Sequence, residues 1–189
     1  MAARLIAGVD EVGRGCLAGP VVAVAILLPP NFEPPLLRDS KSLRPPQRRQ
    51  LYPLLLEKAL AIGVGMQGPA EIDRHNILRA TLLAMQEALE SLPLQPDLVR
   101  VDGPHRPASP FPIEACVKGD ERFPEIAAAS VVAKVLRDQL MTLLAQEYPY
   151  YQWEHNKGYP TRPHWEALQR WGPSPLHRRS FLKKGPPLL

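Results

Sequence analysis

Gly8-Val9-Asp10-Glu11-Val12-Gly13-Arg14-Gly15 sets two adjacent carboxylates at the end of an apolar stretch and follows them with an arginine between two glycines. Carboxylates attract divalent cations. Bare backbone beside a guanidinium suits a phosphodiester and its sugar. Two further acids, in Asp102-Gly103 and Lys118-Gly119-Asp120, also follow short apolar stretches. A single Asp-Gly reads as an ordinary turn, but four acids in one crevice would repel one another unless some kept their protons. A pair of Mg²⁺ or Mn²⁺ ions removes that conflict, because oxygen-only ligands favour hard cations. Such a pair, about 3.5–4 Å apart, can activate water and stabilise the leaving oxygen of an in-line phosphoryl displacement. A metal-dependent enzyme acting on nucleic acid is the first expectation.

The elements that must position these acids follow from hydrophobic patterning. Arg4–Asp10, Val21–Leu28, Ala59–Gln67, Asp97–Val101 and Ile113–Val117 read as strands. Gln47–Lys58 has helical spacing, with a kink or break expected at Pro53. Ile77–Leu92 is predicted as an amphipathic helix with Leu78, Leu82, Met85 and Leu89 on one face. Pro124–Gln146 is the longest predicted helix, opening on a proline and three closely packing alanines, and Thr161–Trp171 is the last. Three strands followed by strand–helix alternation indicate an α/β domain with a mixed sheet. If the first and fourth strands run parallel and adjacent, Asp10 and Asp102 project into one crevice, where open α/β sheets gather ligands. Neighbouring strand residues point to opposite faces, so Glu11 is expected to lie already in the turn.

Composition narrows the class. A chain of 189 residues, 45% of them apolar, is the size of one ordinary domain with a sizeable core. Cys16 and Cys116 lie far apart with no metal-ligand spacing, so free thiols in a reducing cytoplasm are expected. The uncharged run 15–32 is interrupted by Gly19-Pro20 and Pro29-Pro30, which argues against a membrane span, and no targeting segment is evident. The net charge of +4 is unevenly spread: residues 155–189 carry +6 and residues 1–154 carry −2, which favours a polyanion partner. Twenty-three prolines stiffen the loops, as in heat-tolerant proteins, although genomic base composition produces the same bias.

In order and type these motifs resemble bacterial ribonuclease HII, a type 2 ribonuclease H. The resemblance spans Ile6 to Phe181 and is carried by the 8–15 motif, Asp39-Ser40-Lys41, Val101-Asp102-Gly103 and Lys118-Gly119-Asp120. It continues through Ile126-Ala127-Ala128-Ala129-Ser130, Ala133–Asp138, Lys157-Gly158-Tyr159-Pro160-Thr161 and His177-Arg178-Arg179-Ser180-Phe181. It implies a ribonuclease H-like fold: a five-stranded mixed sheet flanked by helices, with a helical C-terminal extension. Residues 1–189 would form one catalytic domain, with a basic extension and tail from about residue 148. Asp10, Glu11, Asp102 and Asp120 would be the catalytic, metal-binding acids. The implied activity is cleavage of the RNA strand of RNA–DNA hybrids and nicking of duplex DNA 5′ of an embedded ribonucleotide. The partners would be those two nucleic acids, with no membrane, and the chain would be a cytoplasmic monomer. Cys16 stands where proline is common, Ser42 replaces a frequent lysine, and the end after Phe181 lacks the usual proline-valine, which leaves the tail's role open.

By the same resemblance Gly13, Arg14 and Gly15 lie along the backbone at the RNA–DNA junction, and Tyr159 joins them in recognising the ribose 2′-hydroxyl. That hydroxyl, donor and acceptor at once, is what tells RNA from DNA at one nucleotide. Lys41, Arg178 and Arg179 are expected to position backbone, supplying affinity without reading sequence. Ser130, Lys134 and Asp138 share a helical stripe; Lys134 is either an exposed ion-pair partner or a support for Asp120 or the backbone. None of the five histidines has a strong claim as a base. Rivals are a junction resolvase or integrase of the same fold, and a non-catalytic nucleic-acid-binding module, which leaves the four acids unexplained. A dinucleotide enzyme is a poor fit, because the early glycines do not give GxGxxG and a strand follows where a phosphate-binding helix should start.

Overall fold

Runs of valine, alanine and isoleucine build the centre of the molecule. In a computed structural model that describes residues 4–32, 34, 37 and 43–183, five strands form one mixed sheet in the order β3-β2-β1-β4-β5. They are β1 (Ile6–Val12), β2 (Val21–Leu27), β3 (Ala61–Gln67), β4 (Leu98–Asp102) and β5 (Ile113–Cys116). β1 and β2, and β2 and β3, are antiparallel. β1 runs parallel to β4 and β4 to β5. Every residue of β2 is buried, as its uninterrupted apolar composition requires when both sheet faces are covered.

Between the strands and after them lie α1 (Pro45–Lys58), α2 (Pro69–His75), α3 (Ile77–Glu90), α4 (Pro124–Glu147), α5 (Trp153–Asn156), α6 (Arg162–Trp171) and α7 (Arg179–Leu182). On one face Ala7, Val9, Ala23, Ala25, Val99 and Val101 pack with Ala80, Ala84 and Ala88 of α3. The buried stripe of α3 includes Met85 and Leu89 of the predicted face but is centred on alanines, and Leu78 and Leu82 sit at its margin. Small residues win there because α3 lies almost on the sheet backbone: a Cβ at Gly65 would stand 2.1 Å from the Ala84 carbonyl oxygen. On the other face Val24 and Ile26 pack with Ala128, Val131 and Val132 of α4, and with Leu51 and Leu55 of α1.

Two expectations need correction. Of the kink or break expected at Pro53, the break does not occur: α1 runs through it, with Leu51 and Leu55 holding the helix to the core. α2, missed in the sequence, is a short helix anchored by buried Ile72. At the far end of α4, Met141 and Ala145 form a third cluster with Leu17, Ala18, Trp153, Leu168 and Leu182. The C-terminal elements thereby close over the loop that leaves β1. No helix of the described residues is long and apolar enough to cross a membrane.

Candidate active site

The parallel register pairs Val9 with Val101, so Asp10 and Asp102 follow at the same level on adjacent strands. Val9 and Val101 point into the α3-side core; by alternation Asp10 and Asp102 turn toward α4. There the helix backbone crosses β1 closely enough that a Cβ on Gly8 would stand 2.1 Å from the Glu125 carbonyl carbon. Ser130 of α4 reaches the Asp10 side chain, and Asp10 Oδ1 accepts from the Glu11 N–H at 2.7 Å. Burial, then the charges of Glu11 and Asp102, push the Asp10 carboxyl well above the usual aspartate range.

Glu11 is not in the turn. It stays in the β1–β2 ladder opposite Ala23, and the pairing continues to Val12–Val22. Its side chain consequently faces the α3 side, lining a cleft with Thr81, Leu82 and Met85. Burial raises its pKa, while Arg14 opposes that shift through an ion pair of 3.1 Å.

Asp120 sits in a single 3-10 turn, Gly119–Glu121, one step beyond β5. Asp102 Oδ1 accepts from the Gly119 N–H at 2.7 Å, which ties that turn to the end of β4. Asp120 is buried and lines a cavity of about 300 Å³ beside Phe123 and Ala127. The fold thus brings Asp10, Glu11 and Asp102 within electrostatic reach of one another and joins Asp120 to them through Gly119. Among the described residues, no three His, Cys, Asp or Glu side chains converge on one ion-sized point as they stand. Glu11 is turned to Arg14 and Asp102 to Gly119.

The turn after β1 is built from buried guanidinium groups. Gly13 has φ +93°, and a Cβ there would stand 2.2 Å from Arg137 Nε. Arg137 donates to the carbonyls of Pro20, Ala18 and Lys157 at 2.8–3.0 Å. Arg178 donates twice to the Gly19 carbonyl and once to that of Arg14. Arg178 is fully buried, so it braces the 14–19 turn from inside and does not reach the surface as expected; desolvation lowers its pKa to about 10. Arg179 is exposed, and its N–H and that of Ser180 donate to Asp73. Lys41 lies outside the described residues, with the rest of its Asp39–Ser42 motif.

Tyr159 is half-buried beside the same turn and shares a hydrogen bond with Cys16. Lys134 Nζ lies 5.3 Å from its ring centroid and pairs with Asp138 at 2.7 Å, which favours the ion-pair reading of that stripe. His164 Nδ1 meets the Tyr159 carbonyl at 2.9 Å, and His164 Nε2 meets His177 Nε2 at 2.9 Å. Trp153 Nε1–H also donates to His164 Nε2, and the Ser174 N–H donates to His177 Nδ1. One tautomer set satisfies every contact: His164 protonated on Nδ1 and His177 on Nε2. This buried network was not anticipated. Its only sequence signal was the company of tryptophans and tyrosines around two histidines.

The profile of the family described as Ribonuclease HII matches residues 7–184. The chain belongs to the ribonuclease HII family. A ribonuclease HII from Vibrio vulnificus is 51% identical over 176 residues, covering 93% of this chain and 85% of that protein. The crystal structure of ribonuclease H2 from Pyrococcus horikoshii superposes with a TM-score of 0.78 at 30% identity, covering 93% of each chain. A ribonuclease HIII, Bst-RNase HIII, solved in complex with Mn²⁺, shares the fold: TM-score 0.71, 17% identity, 97% of this chain and 63% of that one. The protein is therefore an enzyme, a ribonuclease H with the ribonuclease H-like fold, acting on RNA–DNA hybrids.

Proposed function

We propose that Asp10, Glu11, Asp102 and Asp120 are the catalytic acids of this ribonuclease H and hold divalent metal, Mg²⁺ or Mn²⁺, most simply as two ions. The observation that carries this reading is the level placement of Asp10 and Asp102 on parallel strands, with Asp10 buried against the charges of Glu11 and Asp102. Packing acids together in a desolvated place is costly unless a cation is meant to lie among them. The donor set is oxygen-only, which fits a hard cation. Mn²⁺ in the related HIII structure agrees with that choice. When bound, such ions lower the pKa of an attacking water and neutralise charge on the phosphoryl group.

The chain's own residues supply the rest. Asp10, with Ser130 on its carboxyl, would be a fixed ligand; Glu11 would leave Arg14 to join it, freeing that guanidinium for phosphate. Gly13, Arg14 and Gly15 would place main chain against the sugar at the RNA–DNA junction, and Tyr159 would meet the 2′-hydroxyl. Arg179 would contact backbone, and Arg178 would serve from within by holding the turn. On this reading the enzyme also nicks duplex DNA 5′ of a single embedded ribonucleotide, leaving 3′-hydroxyl and 5′-phosphate ends.

The test offers a duplex with one ribonucleotide beside an all-DNA control, with Mg²⁺, Mn²⁺ or chelator, and analyses the ends. Metal-dependent nicking confined to the ribonucleotide duplex is expected. A 2′,3′-cyclic phosphate, or full cleavage in chelator, overturns the metal assignment.

A further inference from the structure

A groove bordering Tyr159 lies between α1, α4 and the segment after α5. It has a volume of about 800 Å³. Four permanent cations line it: Arg48 and Arg49 from α1, Lys134 from α4, and Lys157. The acid on its wall, Asp138, is neutralised by Lys134 at 2.7 Å. Lys157 is held in place by Thr142 Oγ1 at 2.9 Å and by the Glu154 carbonyl, so its charge is fixed rather than swinging in solvent. Arg48 donates Nη1 to the Leu43 carbonyl at 2.8 Å, which pins it at the groove's edge, and Arg49 is exposed. A net charge of about +3 over one groove concentrates anions there.

We infer that this groove carries the phosphodiester backbone of the bound duplex away from the cleavage point, with Arg48, Arg49 and Lys157 as phosphate contacts. The inference rests on the reading that Tyr159 touches the substrate. Tyr159 forms a wall common to both regions: its hydroxyl side meets Cys16 of the β1 turn, while its ring faces Lys134 in the groove. A duplex seated at the turn therefore has a continuous basic path past that ring. None of the groove's cations belongs to the +6 C-terminal segment except Lys157. The positive path is thus assembled by the fold, with α1 contributing two arginines from the part of the chain that is negative overall.

Phosphate contacts are read most directly from salt dependence, because each neutralised phosphate releases counterions and adds about 0.9 to the slope of log affinity against log salt for duplex DNA. Binding of a fluorescent RNA–DNA hybrid is measured by anisotropy in chelator over about 50 to 200 mM salt. Arg49→Glu is expected to lower the slope by about 1, and Arg48→Glu/Arg49→Glu by about 2, with affinity at the lower salt reduced at least about tenfold. The control is Lys58→Glu/Arg170→Glu, an equal change in net charge at two exposed positions outside the groove. It is expected to leave the slope nearly unchanged. Thermal melts show that each variant is folded.

Turnover at saturating hybrid is measured in parallel with metal. The groove variants should raise KM and leave kcat close to the parent value. An unchanged slope in the double variant, or the same loss in the control, overturns the groove assignment, and an acidic protein segment then becomes the better occupant. Loss of kcat with an unchanged slope does so as well. Cleavage in chelator would instead defeat the metal reading and leave the groove result standing.

Discussion

His164 and His177 face each other Nε2 to Nε2 at 2.9 Å in a site closed to solvent. Only one of the two facing nitrogens can carry a proton, so His164 cannot become an imidazolium without breaking the contact, and a proton added to His177 Nδ1 would displace the Ser174 N–H that donates there. Desolvation first, and then the charge of His164, lower the His177 pKa from 6.5 to about 3; burial lowers that of His164 as well. The unfolded chain takes up protons near pH 6.5, whereas the folded chain resists until far lower. The pair's contribution is therefore complete above about pH 6.5 and is lost as pH falls toward about 3. Melting wild type and His177→Gln from pH 8 downward should show their Tm difference narrowing below pH 6.5. A constant difference would show that the pair does not control this part of the stability curve.

Asp10→Asn separates the cost of the site from its use. The carboxyl is buried beside two other acids, so an amide that keeps a partner in Ser130 should relieve the fold when no metal is present. Stability in chelator should rise by about 1 kcal/mol, or roughly 2–4 °C in Tm. Hybrid cleavage should fall below detection while hybrid binding persists. Full activity in this variant would remove Asp10 from the catalytic acids.

Gly13→Ala tests the turn itself. At φ +93° an alanine is strained by about 1–3 kcal/mol before any contact is counted, and its methyl would displace Arg137 from three carbonyls. Gly15→Ala meets open space and should be tolerated by the fold. Circular-dichroism melts are expected to drop on the order of 5 °C or more for the first and hardly at all for the second.

The contrast between Arg178 and Arg179 shows where sequence reading stops. Both looked like surface cations in a basic segment, yet one is sealed inside the molecule and its neighbour is exposed. Nothing local distinguishes them; the difference comes from the Ala18–His177 bridge, which brings the segment against the β1 turn. The strands were legible because alternation follows from nearby residues, whereas the Asp10–Asp102 crevice was legible only on the condition that β1 and β4 lie side by side, a pairing that joins Ile6 to Leu98. Glu11 was misplaced because the length of the β1–β2 ladder depends on Val22 and Ala23, ten and more residues away. The histidine pair joins two segments with no shared period, so no spacing announced it.

Arg178→Met should cost about 3 kcal/mol or more, since the Gly19 and Arg14 carbonyls would lose a buried charged donor. Arg179→Ala should stay within about 0.5 kcal/mol of wild type. Denaturant unfolding checks both, and hybrid affinity should follow the opposite order when normalised to folded protein. Equal stabilities would mean that the internal brace has been misjudged.

Tyr159→Phe removes one hydroxyl and keeps the ring that Lys134 and Arg137 face. In the resting protein that hydroxyl bonds Cys16, an exchange of modest worth, so the fold should barely change. If the hydroxyl meets the ribose during catalysis, the loss should fall on every scission that has a 2′-hydroxyl at the cleaved junction. Cleavage at a single embedded ribonucleotide is expected to slow about 5- to 10-fold, the worth of one hydrogen bond of about 1 kcal/mol. A long hybrid presents the same 2′-hydroxyl at each scissile step and should slow per site by a similar factor. Cys16→Ala is the companion: it frees the tyrosine hydroxyl without removing it, and should leave the ratio of the two rates unchanged. An unchanged rate at the single embedded ribonucleotide would take the 2′-hydroxyl reading away from Tyr159.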